Sequence, residues 1–175
     1  MKLTNYYKVV LDYVQSPREE LINVITHGIG LIFAIAGTAY LLATILFQSP
    51  GAAQIAGGLA FGISLVLVYF SSTFYHAANR PKLRHIWNVL DHIAIYFLIA
   101  GTYTPFILIF MRNAPGYTVL ISLWCIAAVG LVYKIFAVKK HRFFSTLLYL
   151  GMGWAAIFII KPMVQSVPAP ILWWI

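Results

Sequence analysis

Charge is scarce in this chain. Only 9% of its 175 residues are Asp, Glu, Lys or Arg, whereas a soluble domain carries about 25%. Acids are scarcer still: Asp12, Glu19, Glu20 and Asp91 are the complete set, and only Asp91 lies beyond residue 20. Cysteine occurs once, at Cys125, which excludes an intrachain disulfide and, in the middle of an apolar run, reads as a small packing residue. What fills the space is 62% hydrophobic residues and 16% aromatics. That composition excludes a soluble globular domain and defines an integral membrane protein. The net charge of +8 would suit a nucleic-acid partner, but the basic residues fall in short clusters between apolar runs, as topology signals do. Membrane lipids, not nucleic acid, are the partners this pattern implies.

Residues 1–15 place Leu3, Tyr6, Tyr7, Val10, Leu11 and Val14 at spacings of three and four, with Lys2, Lys8 and Asp12 between them. The spacing predicts a short amphipathic helix lying at the membrane surface, too polar for the core of a signal peptide. Ser16-Pro17-Arg18-Glu19 then reads as a helix start, with Ser16 as N-cap, Pro17 in the first turn and Glu19 completing a capping box. From there the chain divides into runs near 21–47, 52–75, 86–110, 117–138 and 143–161, each long enough to cross an apolar layer of about 30 Å. The gaps hold Ser49-Pro50-Gly51, Asn79-Arg80-Pro81, Asn113 to Gly116, Lys139 to Arg142, and a proline-rich stretch from Pro162 to Pro170. Ile171 to Ile175 look like the first turn of a further span. The fold class expected is all-α: a polytopic transmembrane bundle with five spanning helices, formed by residues 16–175 behind the interfacial helix.

Lys2, Lys8, Arg18, Arg80, Lys82, Arg84, Lys134, Lys139, Lys140 and Arg142 fall on one side of this arrangement, and only Arg112 and Lys161 on the other. The positive-inside rule makes the first side, with the N-terminus, cytoplasmic. The rare polar residues can then be placed in depth. Glu20, Asn23 and His27 lie at the cytoplasmic entry of the first helix, within about 60° of one another. Gly58, Gly62, Tyr69, Ser72 and His76 form one stripe along the second, and Asp91 and His92 enter the third just after a basic link.

Each has a plainer reading. Glu19 and Glu20 can cap a helix, Asn23 and His27 can be interfacial residues, His85 and His141 sit in basic loops, and Asp91 can form an ion pair with Arg84. Asp91 is the costliest of these, because an acid in an apolar helix calls for a partner or a wet cavity. His92 is turned about 100° from it, so Asp91 is expected inward beside His76, with His92 as a neighbouring helix contact. Histidine, carboxylate and hydroxyl together can hold a metal and deprotonate a water on it, the minimum of a metal-dependent hydrolase, yet a catalytic zinc takes three protein ligands and only His76 is a convincing one here. Gly101 to Pro105 reads as a proline kink eased by its threonines.

Glu20-Leu-Ile-Asn23-Val-Ile-Thr-His27-Gly, Ser72-Thr-Phe-Tyr-His76, Leu90-Asp91-His92, Gly101-Thr-Tyr-Thr-Pro105-Phe, Gly153-Trp154 and Lys161-Pro162 together resemble the haemolysin III family. That family is related to the adiponectin and progestin receptors and, more widely, to the alkaline ceramidases. The resemblance implies a seven-helix fold with a cytoplasmic N-terminus and a zinc site on the cytoplasmic side. It implies His76 as a zinc ligand, Asp91 as the residue that holds or activates water there, and Ser72 as a supporting hydroxyl, with lipid amides as the substrate class. Glu20, Asn23 and His27 are candidate supporting residues.

One departure is large. The family's two remaining ligands come from a His-x-x-x-His motif in its last helix, and no such motif occurs in these 175 residues. The expectation is a C-terminally incomplete chain, or a site completed by His27, water or a second subunit. Gly58, Gly62 and Pro105 would then face missing neighbours, and a homo-oligomer or an unstable chain is the expectation. Three functions follow: a zinc-dependent membrane hydrolase of lipid amides or its truncated remnant, a pore-forming cytolysin, or a non-enzymatic regulator of membrane stress and homeostasis. No ionisable stripe crosses the outer halves of the helices, which argues against a pore. The location expected is the cell membrane.

Overall fold

A computed structural model describes residues 16–137 and 142–173. The expected interfacial helix, the Lys139 to His141 cluster and the last two residues lie outside them. Every regular element among the described residues is helical. In chain order they are α1 (Pro17–Phe47), α2 (Ala52–Ala77), α3 (Pro81–Phe110), α4 (Ala114–Ala137), α5 (Arg142–Gly153), a 3₁₀ stretch (Trp154–Ile159), α6 (Ile160–Ser166) and α7 (Ala169–Leu172).

The start of α1 forms as its local chemistry dictates. The Glu19 N–H donates to Ser16 Oγ over 3.3 Å, and the Ser16 N–H donates to Glu19 Oε2 over 2.8 Å. Two of the donors that a helix leaves orphaned at its start are thereby satisfied. At 31 residues, α1 is about 46 Å long by its rise per residue, longer than the apolar layer it must cross. Its outward face is apolar: Phe33 is 71% and Phe47 90% exposed. Such a surface is stable only against lipid.

Five stretches are long and apolar enough to cross a membrane: Pro17–Phe47, Ala52–Ala77, Pro81–Phe110, Ala114–Ile135 and Phe144–Ser166. The fifth differs from the uniform helix expected to end near residue 161. Pro162 is no loop residue but sits in the first turn of α6, where a missing N–H costs nothing. Its ring also crowds the carbonyl four residues earlier, at Phe158, and the preceding turn tightens into the 3₁₀ stretch. The phenol of Tyr103 in α3 closes this fracture, donating to Gly153 O at 2.7 Å and accepting from the Ala156 N–H at 3.0 Å.

α2 is the central plank, packed on α1 along one side and α3 along the other. Small residues bring the backbones close. A Cβ on Gly57 would stand 2.7 Å from Pro105 Cα, and one on Gly58 would stand 2.6 Å from Ile45 Cδ1. Thr38 Oγ1 donates to Gly62 O over 3.3 Å. Gly58, Gly62 and Pro105 therefore pack against helices already present, correcting the expectation that they face missing ones. α3 runs unbroken through Pro105. Thr104 donates to Ala100 O at 2.8 Å, and Thr102 to Ile99 O at 2.7 Å; neither bond is to Gly101 O, the carbonyl that Pro105 frees and that the threonines were expected to ease.

The apolar core lies on the other flank of α3. Tyr96, Ala100, Leu123, Ala127 and Met152 form one cluster, and Ile107, Met111, Leu120 and Ile159 a second. Cys125 is not part of either; it is exposed on α4, against the expectation of a packing role. A helix hydrophobic all round need bury only the face it shares with neighbours.

Candidate functional site

The link between α2 and α3 is three residues, Ala78 to Arg80, so the end of α2 and the start of α3 are held side by side. α1 is antiparallel to α2 and brings its own first turns to the same end. Glu20, His76 and Arg84 converge there from three different helices. Glu20 Oε2 lies 2.7 Å from His76 Nδ1, and Arg84 Nη2 donates to Glu20 Oε1. All three side chains are nearly buried, at 11%, 12% and 11% exposure. The carboxylate is thus shared between a guanidinium and an imidazole, one on each oxygen. Arg84 also lies over the Tyr75 ring, 4.9 Å from its centroid.

His27 lies seven residues beyond Glu20 on the same face of α1. Its ring is parallel to that of His76 within 2°, with centroids 5.5 Å apart. Tyr69 closes the stack from the deeper side, 6.2 Å from His27. Ser72 is one turn deeper than His76 on α2 and is buried at 5% exposure. Its hydroxyl is in hydrogen-bonding reach of Asp91, and the charge of Asp91 is felt at His27, His76 and His92. Asp91 lies two turns deeper than Arg84 on the same face of α3.

The sequence-predicted residues, joined by Arg84, therefore come together in two layers. Glu20, His76 and Arg84 form the outer one, and Ser72, Asp91 and His27 the inner one. The alternative pairing of Asp91 with Arg84 does not form, because Arg84 is engaged by Glu20. His92, expected as a neighbouring helix contact, turns its Nδ1 to Asn88 O of its own helix at 2.7 Å, while Tyr149 of α5 donates to its backbone carbonyl at 2.8 Å. Asn23 lies on the α1 face between Glu20 and His27 and is half-buried.

Arg84 is the residue that sequence reasoning left out of the site, having been counted as a topology signal and as an alternative partner for Asp91 rather than for Glu20. Its spacing of seven from Asp91 put it on the inward face and was the signal available.

The donor set suits one side of a zinc ion. His76 offers one imidazole nitrogen, Asp91 a carboxylate and Ser72 a hydroxyl, where a tetrahedral site takes four donors. Among the described residues, no three His, Cys, Asp or Glu side chains converge closely enough to hold a metal by themselves. Zinc thus fits these residues as a partial sphere.

Five apolar spans, lipid-facing aromatics and a buried ionic cluster at one end define a multi-pass helical membrane protein. The chain matches the haemolysin-III related family over residues 15–175 and belongs to it. It is 43% identical over 150 residues to a hemolysin-3 homolog of Bacillus subtilis (strain 168), a stretch covering 85% of this chain and 70% of the relative. Hemolysin-3 of Bacillus cereus is 41% identical over 152 residues, covering 87% and 69%. The human monocyte to macrophage differentiation factor is 24% identical over 150 residues, covering 83% and 61%. No solved structure matches this chain.

Proposed function

We propose that this protein is a zinc-dependent membrane hydrolase of lipid amides, with His76, Asp91 and Ser72 as its share of the zinc site. One observation carries the reading: Glu20 occupies His76 Nδ1 at 2.7 Å. Nε2 is left as the nitrogen able to ligate, in the manner of carboxylate-supported histidine ligands. Zinc at such a site polarises a carbonyl and lowers the pKa of a water to about 7.

The chain's own residues supply the rest. The Asp91 carboxylate accepts a proton from water entering between α2 and α3, and the Ser72 hydroxyl orients that carboxylate by donating to it. The site lies within a turn or two of the bundle's basic end, at the depth where a lipid amide linkage meets the apolar layer. Membrane lipid is accordingly the substrate that can reach it without leaving the bilayer.

Metal analysis of the purified protein beside His76→Ala and Asp91→Ala tests this reading. Zinc should be retained by the wild type and lost from His76→Ala. Fatty-acid release from a ceramide in zinc-loaded proteoliposomes should vanish in Asp91→Ala. A wild type that takes up no zinc would overturn the reading, and dye release from liposomes at low protein concentration would favour a pore instead.

A further inference from the structure

Neither a structural salt bridge nor a helix cap requires a carboxylate to touch both an arginine and a histidine from two other helices. Glu20 does so, with one oxygen for each. Arginine can only donate, so Oε1 must accept. The ion pair with Arg84 makes Glu20 a carboxylate, and a carboxylate has no proton to give, so the bond at Oε2 is donated by the ring: Nδ1–H to Oε2 at 2.7 Å. His76 makes no other hydrogen bond among the described residues.

We infer that Glu20 is a positioning residue that locks His76 in its Nδ1–H tautomer, and that Arg84 fixes Glu20 in the orientation this requires, so that Nε2 is presented as a bare lone pair toward the inter-helix space. The stacked His27 ring holds the plane of His76 from the α1 side, parallel within 2°. The guanidinium of Arg84 is held in turn over the Tyr75 ring, which also lies 4.8 Å from the His76 ring. Glu19, its sequence neighbour, is engaged elsewhere, closing the capping box with Ser16 and pointing away from the site.

The inference deepens the zinc reading and rests on it for its chemical purpose, but the tautomer exists without metal. It can be read on metal-free protein, labelled with ¹⁵N-histidine in detergent micelles, from the coupling pattern of the ring nitrogens to the carbon-bound protons. A His76→Gln variant assigns the signal among the five histidines. The wild type should show a protonated Nδ1 and an unprotonated Nε2. Glu20→Gln should lose that preference, and Glu19→Gln should keep it. An Nε2–H tautomer or a doubly protonated ring in the wild type at mildly alkaline pH overturns the inference.

Zinc titration of the same samples supplies the second readout. Glu20→Gln should bind about 10–100-fold more weakly than wild type, the usual cost of losing a ligand's supporting partner. Equal affinity in both proteins overturns the positioning role. If the wild type binds no zinc while the Nδ1–H tautomer is present and Glu20-dependent, the zinc reading fails and the assignment of Glu20 stands.

Discussion

Where α1, α2 and α3 meet, a single carboxylate is wedged between an arginine and a histidine. Where α3 meets α4 and the broken fifth span, the contacts are Ala100, Leu123, Ala127 and Met152, joined by neutral hydrogen bonds from Tyr103, Tyr149 and Trp124. Both corners use α3, and both are well packed. They differ in what a single change leaves behind. A neutral pair that loses one partner leaves a dipole in search of a mate, whereas the ionic corner leaves a whole charge in a poorly solvated place. Precision in the first corner is therefore enforced by electrostatics, and in the second by shape.

Glu20→Ala should be the most damaging change, because it strands Arg84. The expected loss is about 3–5 kcal/mol of stability, measured by reversible unfolding in mixed micelles. Removing the arginine as well, in Glu20→Leu with Arg84→Leu, should recover most of it. If the single variant costs no more than a hydrogen bond, the contrast between the corners collapses.

Gly57→Ala comes next. Its new methyl would meet Pro105 backbone at 2.7 Å, and the two helices would have to part at a cost of about 1–3 kcal/mol. Gly37 has nothing within 4 Å of an added Cβ, so Gly37→Ala should be neutral or slightly stabilising in the same assay.

Tyr103→Phe tests the neutral corner directly. It removes the hydroxyl shared by Gly153 and Ala156, for about 1–2 kcal/mol. Trp124→Phe should cost a similar amount, giving up the 3.1 Å bond to Thr104, about 1 kcal/mol, together with part of an indole packed on both apolar clusters.

Much of the architecture was legible because membranes simplify the code. Runs of apolar residues fixed four of the helices nearly to their ends, and Ser16 with Glu19 fixed where the first begins. The convergence of Ser72, His76 and Asp91 followed from helical spacing and short links. What the sequence could not reveal is which partner a charge will choose. Arg84 had Asp91 two turns away on its own helix and Glu20 on another, and only packing decided for Glu20. Cys125 was misplaced for a related reason: in an all-apolar helix such as α4, periodicity no longer distinguishes the inward face from the lipid face. Gly58 and Gly62 were seen as contact points, but their neighbours, Thr38, Leu42 and Ile45, lie on a helix whose rotation no local pattern sets.

The 3₁₀ stretch in the fifth span carries a consequence for phase. Six residues, Trp154–Ile159, are wound in it, and at about 120° each instead of 100° they advance the helix by roughly an extra 120°. They also lengthen it by about 3 Å over an α-helix of the same count. A helical wheel drawn through residues 142–166 as one helix therefore assigns every face of α6 wrongly by a third of a turn. An unbroken α-helix would set Met163 within about 20° of Met152; with the added twist the two diverge, Met152 packing in the cluster around Tyr96 and Met163 beside Ile159 on the cluster around Ile107. Pro162 and Tyr103, by setting and holding the fracture, thus decide which face the far half of the span turns toward α3.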